Sequence, residues 1–201
     1  MNKLTLSVCS LLLSILINPA YGRMIDGFDF DEVIPATAER PELKLNGAAV
    51  RNYYYMIDTY VGLMYLERPS QFANEVIIDD SHKRMVYHIL MKRVSGRRIA
   101  KALYEAMQLN VSKEEAIALE DRLNRLVKMF DTKMVRGDSG IVDYIPGLGT
   151  RVTIKNEVKG IIPGKDFYDA LLKIWIGENP VSHAFKKQIL ESNEQSISQT
   201  D

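Results

Sequence analysis

The stretch "NGAAVRNYYYMIDTYVGLMYL", Asn46 to Leu66, decides how this chain is built. From Tyr53 onward it is dense in aromatic and β-branched residues, the composition of a long strand or a hairpin. Arg51 stands ahead of that run, behind the small residues of "NGAAV", which permit another backbone to approach closely. Two readings of this arginine are open. In one it snorkels from a strand end while its methylene stem covers tyrosine rings. In the other it faces an apolar pocket and anchors the anionic head of a ligand, helped by tyrosine or threonine hydroxyls.

Upstream, Arg23 to Leu45 alternates acidic and apolar groups before the proline-bounded "IPATAERPELKL", which predicts an edge strand, a loop and a strand lead-in. Downstream, "EVIIDD" predicts a short strand. In "RMVYHILMKRV" Met85, Tyr87, Ile89 and Met91 share one face and Val86, His88 and Leu90 the other, as in a strand covered on both sides. Ser95 then caps a helix with Ile99, Ala102, Leu103, Ala106 and Met107 at helical spacing. Ser112 and Glu115 occupy capping-box positions, so helix fills most of Ser95 to Phe130. Strands return around Ile141–Ile145, Arg151–Ile154 and Val158–Ile162, joined by the turns "PGLGT" and "KNE". Asp166 opens a helix that Gly177 ends, and Ser182 caps a short terminal one. This order predicts an α+β fold, an antiparallel sheet with its helices segregated on one face. Internal repeats and linkers between Gly27 and Leu190 are absent from the sequence.

The 201 residues are 46% hydrophobic and 26% charged, enough for one sizeable core. Residues 1–22 carry Lys3, an apolar run from Leu11 to Ile17, the breaker Asn18-Pro19 and the small residues Ala20 and Gly22, the pattern of a cleaved secretory signal. The run is shorter than the ~20 residues of a spanning helix. Cys9 precedes it and follows Val8, which does not suit a lipoprotein. The expected product is a periplasmic or secreted domain over residues 23–190, with a loose polar tail over 191–201 and no stable membrane insertion. Cleavage removes Lys3 and the single cysteine, leaving the charges nearly balanced, which argues against nucleic acid or an anionic membrane surface as partner.

His82, His88 and His183 have no paired metal-ligand spacing, and His88 reads as a packed strand histidine. "PGLGT" lacks the following helix and lysine of a phosphate cradle, and there is no nucleophile elbow. No cofactor is expected. Arg51 is therefore the residue to follow.

Five segments together resemble the chalcone isomerase-like family, in particular its exported bacterial branch: "LNGAAVR", "TYVGLMYL", "RVSG", "DYIPGLGTRVTI" and "KGIIPGKDFYDALLKIWIGENPVS". The likeness runs from about Ile25 to Leu190. It implies an open-faced β-sandwich, a large antiparallel sheet covered by a helix layer with a ligand cleft between. Arg51 matches the cleft arginine of the plant enzymes, and Thr59, three residues before Gly62, matches their cleft threonine, although the intervening segment is shorter here. The tyrosine, lysine and asparagine that those enzymes carry on the helix fall on Ile99, Ala102 and Ala106, and a threonine and methionine fall on Ile174 and Trp175. Without those donors the resemblance implies binding rather than chalcone chemistry, since ring closure needs a polarised carbonyl and a positioned phenolate. A related branch binds fatty acids through the equivalent arginine and a tyrosine, roles that match Arg51 and Tyr60. The expected partner is thus a small amphipathic or carboxylate ligand. Alternatives are an isomerase acting on a chalcone- or enone-like substrate, with Arg51 as electrophilic stabiliser, and a scaffold whose Trp175 and Tyr53 to Tyr55 are simply core.

Overall fold

The computed structural model describes residues 22–53 and 56–191. The proposed leader, apart from Gly22, and the tail from residue 192 onward lie outside the described residues.

Seven antiparallel strands form the sheet. In chain order they are β3 (Val33–Ile34), β4 (Leu43–Tyr53), β5 (Ile57–Leu66), β6 (Lys83–Ile89), β9 (Ser139–Ile145), β10 (Gly149–Ile154) and β11 (Glu157–Ile162), and in space they run β11-β10-β9-β6-β5-β4-β3. The opening stretch is thus a hairpin, closed by a hydrogen bond from Met56 N–H to Tyr53 O. Gly147 and Gly149, both at positive φ, turn β9 into β10, and Lys155 and Asn156, also at positive φ, turn β10 into β11. Two short ribbons stand apart: β1 (Gly22–Ile25) with β2 (Phe28–Asp31), and β7 (Arg93–Ser95) with β8 (Lys133–Val135).

The helices are α1 (Ala73–Ile78), α2 (Gly96–Gln108), α3 (Lys113–Met129), α4 (Lys165–Ile176) and α5 (His183–Ile189). The expected caps are present: Ser95 accepts from Arg98 N–H, Ser112 and Glu115 form a reciprocal box, and Ser182 accepts from Phe185 N–H. The expected strand at "EVIIDD" is instead α1. A short apolar run does not distinguish the two, and here Ser70 bridges to Glu75 at 2.9 Å while Val76 alone of the helix is buried.

Alternation in β6 directs Met85, Tyr87 and Ile89 toward the helices, where they join the main core, while Val86 packs with a second cluster behind the sheet. That second face is not bare. The β1–β2 hairpin lays Ile25, Phe28 and Phe30 against the cluster of Val61, Leu63 and Tyr65. His88 lies beneath it, edge-on to the Phe28 ring at 4.1 Å and 2.8 Å from Ser139 Oγ, a packed strand histidine as expected. Farther along this face Asp143 is clamped by Arg84 at 2.6 Å and Arg151 at 3.0 Å, a charge row across β6, β9 and β10.

The "NG" of the opening stretch does not make a turn. Asn46 is the extra residue of a bulge in β4, fully buried, and its amide donates to Ile189 O at 2.9 Å and accepts from Ser70 N–H at 2.8 Å. At Gly47 an added Cβ would lie 2.5 Å from Ile189 O and 2.6 Å from Gln188 O. The C-terminal end of α5 thus rests on bare strand backbone.

Lys83 is buried at the edge of the inner layer, its ammonium donating to Asp79 O and lying 5.0 Å over the Tyr144 ring. Burial, followed by the charge of Lys165, lowers its pKa from 10.5 to about 8. Between those two values the unfolded chain holds a proton that the folded chain has shed, so stability rises with pH. Buried tyrosines such as Tyr60 oppose this only above pH 10.0, their ordinary pKa.

Two outcomes are expected. Gly47→Ala should lower the unfolding free energy by about 1–3 kcal/mol in urea titrations, because the strand and α5 must separate to admit the methyl. The wild-type urea midpoint should rise between about pH 8 and pH 10, the window set by the amine's shifted and ordinary values, and in Lys83→Met that rise should be absent.

Candidate ligand site beside Arg51

Arg51 on β4 is the register partner of Tyr60 on β5. Cross-strand partners project to the same side of a sheet, here the helix side, where Tyr60 packs against the main core. The Arg51 side chain is half-buried, and its guanidinium makes no hydrogen bond or ion pair among the described residues. The Tyr60 hydroxyl, on a partly buried side chain, accepts a hydrogen bond from Trp175 Nε1 at 3.0 Å. Burial pushes the Tyr60 phenol up to about 12, against the Trp175 hydrogen bond and the nearby Arg51 charge. Tyr60 is therefore a neutral phenol at physiological pH. Because its oxygen is engaged as an acceptor, its proton remains available to donate.

A second phenol adjoins it. Tyr87 meets the Tyr60 ring edge-to-face at 6.4 Å and stacks on Phe130 at 6.4 Å. Its hydroxyl is buried without a hydrogen-bond partner among the described residues, and burial raises its pKa. The cause of this placement is a cross-strand row, Gly62 to Tyr87 to Gly140. Neither glycine offers a side chain, so the Tyr87 ring lies over Gly140 and the Phe185 ring of α5 over Gly62, where a methyl would collide with each. Phe185 also meets Tyr60 edge-to-face at 5.9 Å.

The other expected site residues divide. Trp175 and Ile174 are buried in α4, Trp175 touching Tyr60 and Ile174 packed in the core. Ile99 and Ala106 of α2 pack partly against the same core. Ala102 does not. It is exposed, because the buried stripe of α2 runs through Ala100, Leu103 and Met107 and Ala102 lies about 200° round from Ala100. Thr59 is the extra residue of the bulge between Arg51 and Asn52, and its hydroxyl donates to Arg51 O at 2.6 Å. It shapes the backbone at the arginine, and its own donor is committed there. Tyr53, read alternatively as core, is half-exposed near the hairpin end, while Tyr54 and Tyr55 lie outside the described residues. Tyr87 and Phe185 are the members that sequence reasoning missed. The alternation of β6 puts Tyr87 on the inner face, but only the register reveals glycines on both sides of it.

The chemistry assembled at Arg51 is a cation unpaired among the described residues, the Tyr60 phenol donor and an apolar surround, while the Tyr87 hydroxyl lies over Gly140 on β9, away from β4. The Arg51 site suits a carboxylate joined to an apolar body. Among the described residues no three His, Cys, Asp or Glu side chains converge as a metal site would require.

A seven-stranded antiparallel sheet under a helix layer, with an arginine and tyrosine at its inner edge, defines a class: the chain belongs to the chalcone isomerase-like family, whose sequence pattern matches residues 22–191. Among solved structures it is similar to a fatty-acid binding protein of Arabidopsis thaliana, at 16% identity and a TM-score of 0.69, over 85% of this chain and 96% of that one. No curated protein sequence matches.

Tyr60→Phe should orphan the buried Trp175 N–H. Denaturant unfolding is expected to show a loss of about 1–3 kcal/mol. Trp175 is the only tryptophan, so its fluorescence should shift in the same variant.

Proposed function

We propose that this protein is exported and holds a small amphipathic acid, such as a fatty acid, with its carboxylate at Arg51 and its apolar body between sheet and helices. The observation that carries this reading is the half-buried Arg51 guanidinium, unpaired among the described residues and register-matched to a phenol whose proton is free to donate. The fold similarity to a fatty-acid binding protein supports it. Export is proposed from the leader-like pattern of residues 1–22. No described helix is long and apolar enough to cross a membrane.

The phenols favour holding over proton transfer. Tyr60, neutral up to about pH 12, donates hydrogen bonds well but is a poor proton acceptor near neutrality. Ile99 and Ala106 offer no replacement for the polar helix residues of the plant enzymes.

A dodecanoyl-sized tail would contribute on the order of 8 kcal/mol at about 0.8 per methylene. Association costs about 4–15 kcal/mol, and the charge-assisted head contact adds roughly 1.5–3 kcal/mol. The tail supplies affinity, and Arg51 selects acids over neutral analogues.

Titrating the wild type with dodecanoate should change Trp175 emission and give tighter binding than dodecanol. Arg51→Ala should weaken the acid by roughly tenfold to a hundredfold, the range of one charged hydrogen bond, and leave the alcohol little changed. Equal affinity of acid and alcohol for the wild type would refute the head-group role. Native mass spectrometry of protein from its own host should show the acid on wild type and not on Arg51→Ala.

A further inference from the structure

The near balance of the whole chain conceals a local segregation of charge. Leu90 to Tyr104 contains Lys92, Arg93, Arg97, Arg98 and Lys101 and no acidic residue. All five are exposed. Only Lys101 is in an ion pair among the described residues, a long one of 3.5 Å to exposed Glu105.

The fold brings this segment to the tip of the β4–β5 hairpin. Leu90 and Met91 both donate backbone hydrogen bonds to Thr59 O, so the chain leaves β6 beside the last turn of the hairpin. Arg93 then pairs with Val135 across the β7–β8 ribbon, and Ser95 starts α2, placing Arg97 and Arg98 in its first turn. At the hairpin tip Met56 is 84% exposed and Ile57 50%, with Val135 at 45% on the ribbon beside Arg93. Of the acids nearby, Asp58 is already engaged by the Asn52 amide. Exposed apolar side chains at a tip, flanked by unpaired cations, match the layered chemistry of a bilayer surface, where phosphates lie outside and acyl chains inside.

We propose that this end of the molecule docks reversibly on an anionic phospholipid bilayer, with Met56 and Ile57 entering the headgroup layer and Lys92, Arg93, Arg97 and Arg98 holding lipid phosphates. The inference stands apart from the ligand reading, since it concerns the outer surface and is tested on vesicles free of fatty acid. It departs from the expectation drawn from net charge, because that balance is a global sum and the surface proposed to meet a membrane is local.

The test is vesicle flotation of residues 22–191, which hold both apolar clusters and the whole seven-stranded sheet. Vesicles of phosphatidylcholine with phosphatidylglycerol are compared with phosphatidylcholine alone. The wild type should bind the anionic vesicles and be released by high salt, a readout independent of any variant. Arg97→Glu with Arg98→Glu should cut binding by roughly tenfold or more, and Met56→Ser with Ile57→Ser should cut it comparably. Lys187→Glu, on exposed α5 surface, should have little effect. Circular dichroism melts of these surface variants should match the wild type. The proposal is overturned by no binding to anionic vesicles at low salt, by equal binding to neutral ones, or by equal loss in Lys187→Glu. Salt-sensitive binding to an acidic protein without vesicle binding would also overturn it.

Discussion

Everything on the inner face depends on how closely α5 is allowed to approach β4. The strand yields at Asn46, which bulges outward from the register and spends its buried amide on Ile189 O and Ser70 N–H. Gly47 follows with no side chain, and two backbone carbonyls of α5 occupy the space a methyl would need. A polar side chain this deeply buried is tolerable only because its amide is hydrogen-bonded at both ends. The seam is therefore specific: another residue at either position would leave a buried group unpaired or hold the helix away.

The site inherits its geometry from that seam. α5 seated at Gly47 places Phe185 over Gly62 and against Tyr60. Tyr60, closed in by Phe185 and Trp175, presents its phenol beside Arg51. The bulge at Thr59 completes the arrangement from the hairpin side, fixing the Arg51 carbonyl. In the proposed reading, selectivity and affinity would reside in different parts of the molecule: Arg51 at the hairpin would choose the head, and the apolar layer between sheet and helices would set the strength.

Much of this order was legible in the sequence because its signals are local. Ser95, Ser112 with Glu115, and Ser182 mark helix starts through hydrogen bonds within one turn, and all three hold. Two-sided alternation in β6 announces a strand covered on both faces. The failures are equally physical. Six residues of α1 are too few to show a period, and the helix gains its place from one buried valine and the Ser70–Glu75 bridge. Ala102 lies within an apolar pattern yet outside the buried stripe, because alanine carries little preference for either environment. Tyr87 was hidden for another reason: its importance comes from glycines on two other strands, and register is a property of the sheet, not of any one segment. The basic end was hidden by an average, since a sum of charges carries no position.

The Asn46–Gly47 pair also bears on chemical ageing. An asparagine followed by glycine is prone to deamidation, because the glycine nitrogen meets little hindrance when it attacks the side-chain carbonyl and closes a five-membered imide. In the folded protein that closure is blocked, as the amide is locked to Ile189 and Ser70 and the backbone is held in the strand. Only molecules that open at this seam are exposed to the reaction. Isoaspartate at position 46 would therefore accumulate as a chemical record of time spent unfolded, and a chain so altered could not re-form the contact that seats its last helix.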